Sequence, residues 1–464
     1  MKILNRMNSI AKNIFIILAL FFVPPSFSQE TEKRFDGRVL DAETIKQIVE
    51  KVGEILVNGY AFPDAAKEMQ IFIADRLNKG EYQNIKNAIE FGRIVTNDLR
   101  KIKNDLHLQV AYAPATVRRI RANRSQSVEV KKKALEEKIA RERGQNYGFK
   151  ELKLLEGNVG YLKLDFFSSL RSAGETCVAA MNYLANADAV ILDLRSNSGG
   201  SPFMLKLISS YFIEDDTNLV NLEWQEEGKA KIEQHWSLPF VPGRTLFEKK
   251  LYILTSPSTF SAAEGFSYNM KTLKRATLIG EKTQGGGTAG EWEVINDSFV
   301  IFVPKYKSMN PLTNECIDIE GKGIQPHLEV PAGQALLAAH LLAINASIEK
   351  AKPLKPDQEL NWIKDWIEAK YNPSKFDSSI YGTYVGRYDE KFDIYFENGS
   401  LCIREHSSNI EYPGFFSKLI PLSERLFALE KVHFVRVSFE KDKNQNMTAL
   451  LLYTNGNRVK AVRQ

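Results

Sequence analysis

The chain contains the stretch Leu251-Tyr-Ile-Leu-Thr-Ser-Pro-Ser-Thr-Phe-Ser-Ala-Ala-Glu264, in which an apolar run gives way to a polar turn and then to a helical pattern. We predict a buried strand over residues 251–254 and a helix that opens at Ser261. A serine there lies beside unpaired backbone N–H groups and the positive end of the helix dipole. Ser261-x-x-Glu264 also fits a capping box, in which the serine only completes the helix end. On this stretch alone, capping is the commoner role.

A second segment, Ala189-Val-Ile-Leu-Asp-Leu-Arg-Ser-Asn-Ser-Gly-Gly200, follows the same order of elements. Its apolar residues predict a central strand over 189–194, and a helix is expected over 202–212. Gly199 and Gly200 allow a ligand to approach the backbone closely. Two strand–turn–helix units with polar turns would suit an acyl-transfer site, although each is also an ordinary connection between a strand and a helix.

Four ordered motifs resemble those of the tail-specific, or C-terminal-processing, serine proteases. They are Asp193-Leu-Arg-Ser-Asn-Ser-Gly-Gly200, Thr259-Phe-Ser-Ala-Ala-Glu264, Arg275-Ala-Thr-Leu-Ile-Gly-Glu-Lys-Thr-Gln-Gly-Gly-Gly287 and Glu320-Gly-Lys-Gly-Ile-Gln-Pro326. The resemblance implies an α/β protease core of mixed sheet and helices, of the ClpP/crotonase type. It also implies a serine nucleophile and a peptide or protein substrate, and no cofactor or metal.

The resemblance is closer to one branch of that family. The processing proteases place a catalytic lysine where this chain has Gly286, and Lys282 lies on the other side of the intervening turn. The chain is more similar to the branch of the tricorn core protease and the interphotoreceptor retinoid-binding proteins. In that branch a histidine comes from an upstream helical domain. Asn104-Asp-Leu-His-Leu108 and Ala61-Phe-Pro-Asp-Ala-Ala66 resemble elements of that domain.

This branch implies a role for each candidate residue. Ser261 would be the nucleophile, His107 the general base and Glu320 the acidic member that supports the histidine. Without the resemblance, His107 would be interpreted as a core or turn histidine and Glu320 as a solvated carboxylate. The oxyanion would be held by backbone N–H groups of Gly199 or Gly200, together with Ala262.

Composition limits the function classes. The chain has 464 residues, of which 44% are hydrophobic, and this length predicts about three domains with sizeable cores. A net charge of +5 does not indicate nucleic-acid binding, and the basic run at 117–124 is interpreted as solvated. Cys177, Cys316 and Cys402 predict no particular disulfide. Neither a Cys/His cluster with metal-ligand spacing nor a phosphate loop is present in the sequence.

The N-terminus has the pattern of a secretory signal peptide over residues 1–28. Lys2, Arg6 and Lys12 precede an apolar run at 14–23, and Ser26-Phe-Ser28 fits the small-x-small cleavage pattern. The mature chain would begin at Gln29 and be periplasmic or extracellular, without stable membrane insertion. An uncleaved anchor is the alternative.

The remaining chain divides by pattern into a helical N-terminal domain at 29–125, an α/β core at 126–351, a linker at 352–377 and a small antiparallel, lipocalin-like β domain at 378–464. The core begins with a connecting helix at 126–145. Alternating strands and helices indicate parallel pairing within it. The β domain could capture ligand or substrate, or serve only for packing.

Two other functions fit parts of the sequence. A non-catalytic module that binds a hydrophobic ligand or peptide would use the same fold. A penicillin-recognising serine hydrolase needs Ser-x-x-Lys, which occurs as Ser347-Ile-Glu-Lys350 in a predicted helix, and no Lys-Thr-Gly follows. The sequence therefore favours a secreted serine peptidase.

Overall fold

The structure is a computed structural model that describes residues 40–85, 87–125, 128–226, 229–351, 358–371, 378–406, 414–444, 446–454 and 457–464. The predicted signal peptide at 1–28 lies outside the described residues. The chain forms two compact units. The described residues of the first lie within Met1–Gly144 and Gly290–Tyr306, and those of the second lie within Gln145–Ala289 and Lys307–Gln464. In the part of the chain that the structure covers, no helix combines the length and the apolar character needed to cross a bilayer.

The helices are α1 (Ala42–Gly59), α2 (Pro63–Asn78), α3 (Ala88–Ile102), α4 (Pro114–Ser125), α5 (Val128–Gly144), α6 (Leu170–Leu184), α7 (Pro202–Phe212), α8 (Ala262–Thr272), α9 (Ala335–Ala351) and α10 (Gln358–Tyr371). The strands up to α9 are β1 (Gln109–Tyr112), β2 (Phe149–Leu155), β3 (Val159–Leu164), β4 (Ala189–Asp193), β5 (Asn218–Glu226), β6 (Lys229–Trp236), β7 (Lys250–Thr255), β8 (Ala276–Gly280), β9 (Thr288–Val294), β10 (Phe299–Met309) and β11 (Leu328–Glu329). The C-terminal strands are β12 (Gly386–Tyr388), β13 (Phe392–Glu397), β14 (Ser400–Glu405), β15 (Phe416–Pro421), β16 (Leu426–Leu429), β17 (Val435–Lys441), β18 (Met447–Thr454) and β19 (Asn457–Val462).

The first unit is helical, as predicted, but it also takes a piece of the predicted core. Asp41 caps α1 by accepting the Thr44 N–H at 2.7 Å. The start of β10 pairs antiparallel with β1, with Phe302 opposite Gln109. Phe299 and Ile301 are buried in the helical core. The prediction of a continuous core over 126–351 is therefore wrong for Gly290–Tyr306, because these apolar residues complete the helical unit instead. It is also wrong for the connecting helix, since α5 (Val128–Gly144) belongs to the first unit.

The second unit contains the predicted α/β core. Its six-stranded sheet has the order β11-β8-β7-β4-β3-β2, and every adjacent pair is parallel except β2 with β3. Helices cover both faces of strands β4 and β7, and both strands accordingly contain continuous apolar runs. The helices α6, α7 and α8 pack on one face, and α9 packs on the other. The carboxyl ends of β4 and β7 therefore lie side by side at one edge of the sheet.

A hairpin of β5 and β6 was not predicted. Its residues pair antiparallel from Asn218 opposite Trp236 to Glu226 opposite Lys229. The end of β10 adds to it, with Met309 opposite Asn221. The hairpin strands are rich in charged and amide side chains, so the apolar alternation that marks a strand is weak.

The predicted linker at 352–377 contains helix α10. Ile363, Trp366 and Ile367 are buried on one face of it. The Trp366 indole N–H donates to the Leu429 carbonyl of β16 at 2.8 Å. The linker prediction is therefore wrong over Gln358–Tyr371, where apolar residues at helical spacing dock the helix against the C-terminal strands.

The eight C-terminal strands pair antiparallel in sequence order, from β12 to β19. Tyr388 also bridges to Arg463, and the Asp389 N–H donates to the Val462 carbonyl at 2.9 Å, so the first strand joins the last. Tyr384 stacks on Phe439 with ring centroids 4.4 Å apart in the core of this barrel. The prediction of a small antiparallel β domain is confirmed, with a core built from aromatic rings.

Replacement of Trp366 should separate the packing of α10 from its hydrogen bond. We expect Trp366→Ala to lower the free energy of unfolding by about 3–5 kcal/mol, because it removes a buried indole. Trp366→Phe should cost about 1–2 kcal/mol, mainly through the unpaired Leu429 carbonyl. Denaturant unfolding measures both, and an unchanged midpoint for Trp366→Ala would contradict the docking of α10.

Candidate active site

Ser261 has a backbone conformation that an ordinary cap does not need. It precedes α8 with φ +54° and ψ −121°. An N-cap residue usually has extended φ and ψ, and a residue other than glycine at positive φ costs on the order of 1–3 kcal/mol. Such outliers concentrate at functional sites, where the surrounding structure holds them in place. The backbone of Ser261 therefore favours a role beyond capping.

Glu264 fixes the turn at Ser261 through hydrogen bonds. Its side chain is fully buried and accepts the Ser261 N–H at 3.0 Å, which forms the carboxylate half of the predicted capping box. It also accepts the Thr283 hydroxyl at 2.5 Å and the N–H groups of Gly285 and Gly286 at 2.7 and 2.6 Å. Burial raises the pKa of Glu264 against the opposing effect of these bonds. The sequence marked Glu264 only as part of the cap.

Thr283 connects the glycine turn to the late motif. Its hydroxyl donates to Glu264 and accepts the Ile324 N–H at 2.7 Å. The Gly321 N–H donates to the Gly285 carbonyl at 2.9 Å. A Cβ atom on Gly285, whose φ is +103°, would lie 2.8 Å from the backbone nitrogen of Gly323. The turn therefore requires glycine at 285, and the two motifs pack backbone to backbone.

Glu320 is bound to the same turn. One oxygen, Oε2, accepts the Gly287 N–H at 2.6 Å and both the N–H and the hydroxyl of Thr288 at 3.0 Å. The side chain is half-buried. These contacts hold the Glu320 carboxylate in one orientation. A solvated side chain, the alternative interpretation from the sequence, would not need them.

Asn197 shapes the loop after β4. Its amide donates to the Leu164 carbonyl at 2.8 Å and accepts the Gly199 N–H at 2.8 Å. A Cβ atom on Gly199, whose φ is +97°, would lie 2.8 Å from Ser261 Cβ and 3.0 Å from the Ala262 nitrogen. Only glycine allows this loop to approach the serine so closely. Because the Gly199 N–H is directed at Asn197, it is the weaker of the two glycine candidates for the oxyanion.

Gly200 and Ala262 carry the better-placed donors. The Phe167 N–H donates to the Gly199 carbonyl, and the Ser201 N–H donates to the Phe167 carbonyl, at 2.8 and 2.7 Å. This parallel bridge leaves the N–H of Gly200, an exposed residue, pointing away from Phe167. Ala262 is the first residue of α8, so its N–H has no acceptor within the helix.

His107 belongs to the first unit. It lies in a bend just before β1, and its N–H donates to Asp105 Oδ1 at 3.0 Å. Asp105 is fully buried, and its other oxygen accepts the Tyr60 hydroxyl at 2.9 Å. The imidazole stacks on Phe302 with centroids 6.1 Å apart. No role was predicted for Asp105 from the sequence, although it stands two residues before His107.

Other candidates have structural explanations. Asp193 is buried, and it accepts the Tyr161 hydroxyl at 2.7 Å and the Arg195 guanidinium at 2.5 Å. His327 Nδ1 accepts the Leu278 N–H at 2.9 Å. Among the described residues, no disulfide joins Cys177, Cys316 and Cys402.

Glu264 should tolerate its isosteric amide poorly. Glu264→Gln places an NH₂ group against two of the four donors that the carboxylate accepts, which leaves buried donors unpaired. We expect the free energy of unfolding to fall by about 2–4 kcal/mol, measured by denaturant unfolding. The exposed Glu248→Gln is the matched control. Equal stability of the two variants would contradict the clamp.

Two family profiles match this chain. Residues 158–330 match the profile described as peptidase family S41, and residues 41–143 match "N-terminal domain of Peptidase_S41 in eukaryotic IRBP". The first match spans most of the α/β core, and the second lies within the helical region before it.

Individual relatives cover less of the chain. A protein of Staphylococcus epidermidis named "Probable CtpA-like serine protease" is 31% identical over 38% of this chain and 34% of its own length. Carboxyl-terminal-processing peptidase 3, chloroplastic, of Arabidopsis thaliana is 27% identical over 41% of this chain and 35% of its own length. The chain thus spans about a third of the length of these relatives. The tricorn protease structure is 13% identical, with a TM-score of 0.41, over 67% of this chain and 37% of that one.

The two matched profiles follow one another along the chain, and the profile over residues 158–330 contains Ser261, its glycine turn and Glu320. The chain therefore belongs to peptidase family S41.

Proposed function

We propose that this chain is a serine peptidase that hydrolyses peptide bonds, with Ser261 as its nucleophile. The observation that carries the proposal is the Ser261 backbone, with φ +54° at the N-terminus of α8 and in contact range of the glycine loop at Gly199. A cap alone gains nothing from that conformation. A nucleophilic hydroxyl, by contrast, must be accessible to substrate and lie beside two backbone N–H donors, and this conformation favours that placement.

His107 is proposed as the general base and Glu320 as the residue that supports it. A histidine exchanges protons near neutral pH, so it can take the serine proton and return it to the leaving group. The buried Asp105 fixes the backbone of His107, and the glycine turn fixes the Glu320 carboxylate. His107 and Glu320 are therefore each held in place within their own unit before substrate binds. Less conformational entropy is then lost when the catalytic groups come together.

The reaction follows from these roles. Ser261 Oγ bonds to the substrate carbonyl carbon while His107 takes the hydroxyl proton, and the carbonyl oxygen becomes an oxyanion that accepts the N–H groups of Gly200 and Ala262. The C–N bond then breaks, and His107 protonates the leaving amine. Water, deprotonated by His107, attacks the acyl-enzyme, and the proton returns to Ser261 Oγ as the acid leaves. Each proton taken by the imidazole is thus returned within one cycle.

Export is proposed from residues 1–28. Expression of the full chain in a bacterium should give a product that begins at Gln29, measured by N-terminal sequencing of the exported fraction. Ser28→Arg places a bulky residue at the cleavage position and should block processing, whereas Lys33→Arg should not. A product that keeps Met1 in both variants would support an uncleaved anchor instead.

The peptidase proposal is tested by cleavage of a mixed peptide library. We expect Ser261→Ala and His107→Ala to lower kcat by about four to six orders of magnitude, and Glu320→Gln by about two to four, because the groups act as a unit. Ser258→Ala and His433→Ala are the matched controls and should keep full activity. Circular dichroism and the unfolding midpoint show whether each variant folds.

Each other outcome points elsewhere. No cleavage by the unmodified chain would favour the alternative of a binding module on the same fold. Equal cleavage by the unmodified chain, Ser261→Ala and His107→Ala would mean that the catalytic residues are assigned wrongly.

A further inference from the structure

A groove with a volume of about 480 Å³ lies at the C-terminal end of α8, away from Ser261. This volume is within the range of ligand-binding clefts. At about 1.5 Å per residue along the helix, Lys271 is about 15 Å from Ser261. The groove is lined by the end of α8 and the residues just after it, and by the loop that carries the Glu320 motif. The lining includes Tyr268, Lys271, Lys274, Ile324, Gln325 and His327.

Four side chains around this groove carry hydrogen-bond donors. Lys271 Nζ donates one hydrogen bond, to the Gln325 carbonyl at 2.5 Å, and an ammonium has two more to give. Lys274 is exposed at the rim. Burial and the nearby Lys271 lower the pKa of His327, and its Nδ1 accepts the Leu278 N–H, so the neutral ring carries its proton on Nε2. The Tyr268 hydroxyl accepts from Asn310 at 3.1 Å and keeps its own proton for donation.

The carboxylates closest in sequence are already engaged. Asp318 pairs with Lys322, and Glu329 accepts the Gln325 side-chain amide at 2.7 Å. Neither belongs to the lining of the groove. The charges of Lys271 and Lys274 are therefore not neutralised by an acid within the groove lining.

Lys274 occupies a position that normally takes glycine. The Arg275 N–H donates to the Met270 carbonyl at 2.8 Å, and the Lys274 N–H donates to the Lys271 carbonyl at 3.0 Å. This pair of bonds is a Schellman motif, and Lys274 is its left-handed residue, with φ +53°. A lysine there costs backbone strain that glycine would avoid. A helix end needs no lysine at this residue, and the Lys274 side chain is exposed.

We propose that this groove binds an acidic segment of polypeptide, with Lys271, Lys274 and the His327 Nε2–H as its donors to carboxylates. Polypeptide is favoured over a small anion because the lining combines these donors with the apolar side chain of Ile324 along an open groove. The inference rests on the proposed peptidase function, since such a groove would select substrates that carry acidic residues away from the scissile bond.

The groove is also connected to the candidate active site through a chain of hydrogen bonds. Ile324 lines the groove, and its N–H donates to the Thr283 hydroxyl, which donates in turn to Glu264. An occupied groove would brace the loop that carries Glu320. We therefore expect acidic segments to improve the binding of substrate and also the turnover at Ser261.

Binding is measured first, on the full chain with Ser261→Ala, so that the result does not depend on catalysis. A labelled peptide with three glutamates should bind about tenfold more tightly than the same peptide with three glutamines, and the difference should vanish at high salt. Lys271→Gln and Lys274→Gly should each weaken acidic binding up to about fivefold. The matched control Lys443→Glu, on an exposed turn of the β domain, should leave it unchanged.

Lys274→Gly also separates a binding role from a structural one. It should raise the melting temperature by about 2 °C, because glycine relieves the left-handed strain, while acidic binding weakens. Equal binding of the two peptides, or acidic binding that survives both lysine replacements, would overturn the proposal. With the serine restored, absence of any peptide cleavage would contradict the proposed function while the binding result stands independently.

Discussion

The buried carboxylate of Glu264 is the group on which the site depends. Moving a carboxylate out of water costs several kcal/mol unless hydrogen bonds replace its hydration. Here four donors do so, from Ser261, Thr283, Gly285 and Gly286. Those donors come from two turns that are separate in sequence. The requirement to satisfy one charge therefore fixes the serine turn and the glycine turn to each other.

The same constraint explains how Ser261 can keep its strained backbone. The conformation costs on the order of 1–3 kcal/mol and persists only if the surrounding structure determines it. Glu264 holds the Ser261 N–H from one side, and the Asn197 loop presses Gly199 against the serine from the other. A Cβ atom on Gly199 would collide with this turn. Gly199 and Gly285 are thus required because the backbone at each position packs closely against another segment. The approach of the Gly199 loop to Ser261 also brings the N–H groups of Gly200 and Ala262 near the serine.

Much of this arrangement was predictable because it depends on local pattern. The strand–turn–helix units around β4 and β7 follow from apolar runs that end in glycine or serine, and their parallel pairing brings the turns together. Gly290–Tyr306 belongs to the helical unit because Phe299 is buried in the helical core. The spacing of apolar residues shows that Phe299 is buried but not in which core. Helix α10 was hidden by flanking prolines and lysines. The role of Glu264 was missed because its partners at 283–286 lie about 20 residues away.

The hydrogen bonds of Glu264 explain why a histidine, and not this nearby carboxylate, is proposed as the base. Its oxygens already accept four donors, so it has little capacity left to accept the serine proton. Gly286 stands where the processing proteases place their lysine, and its N–H is used to bind Glu264 at 2.6 Å. This turn therefore positions Ser261, the proposed nucleophile, and Glu264 is not a free acceptor for its proton. We therefore propose that the acceptor comes from another segment, and His107, whose backbone N–H is held by the buried Asp105, is the proposed base.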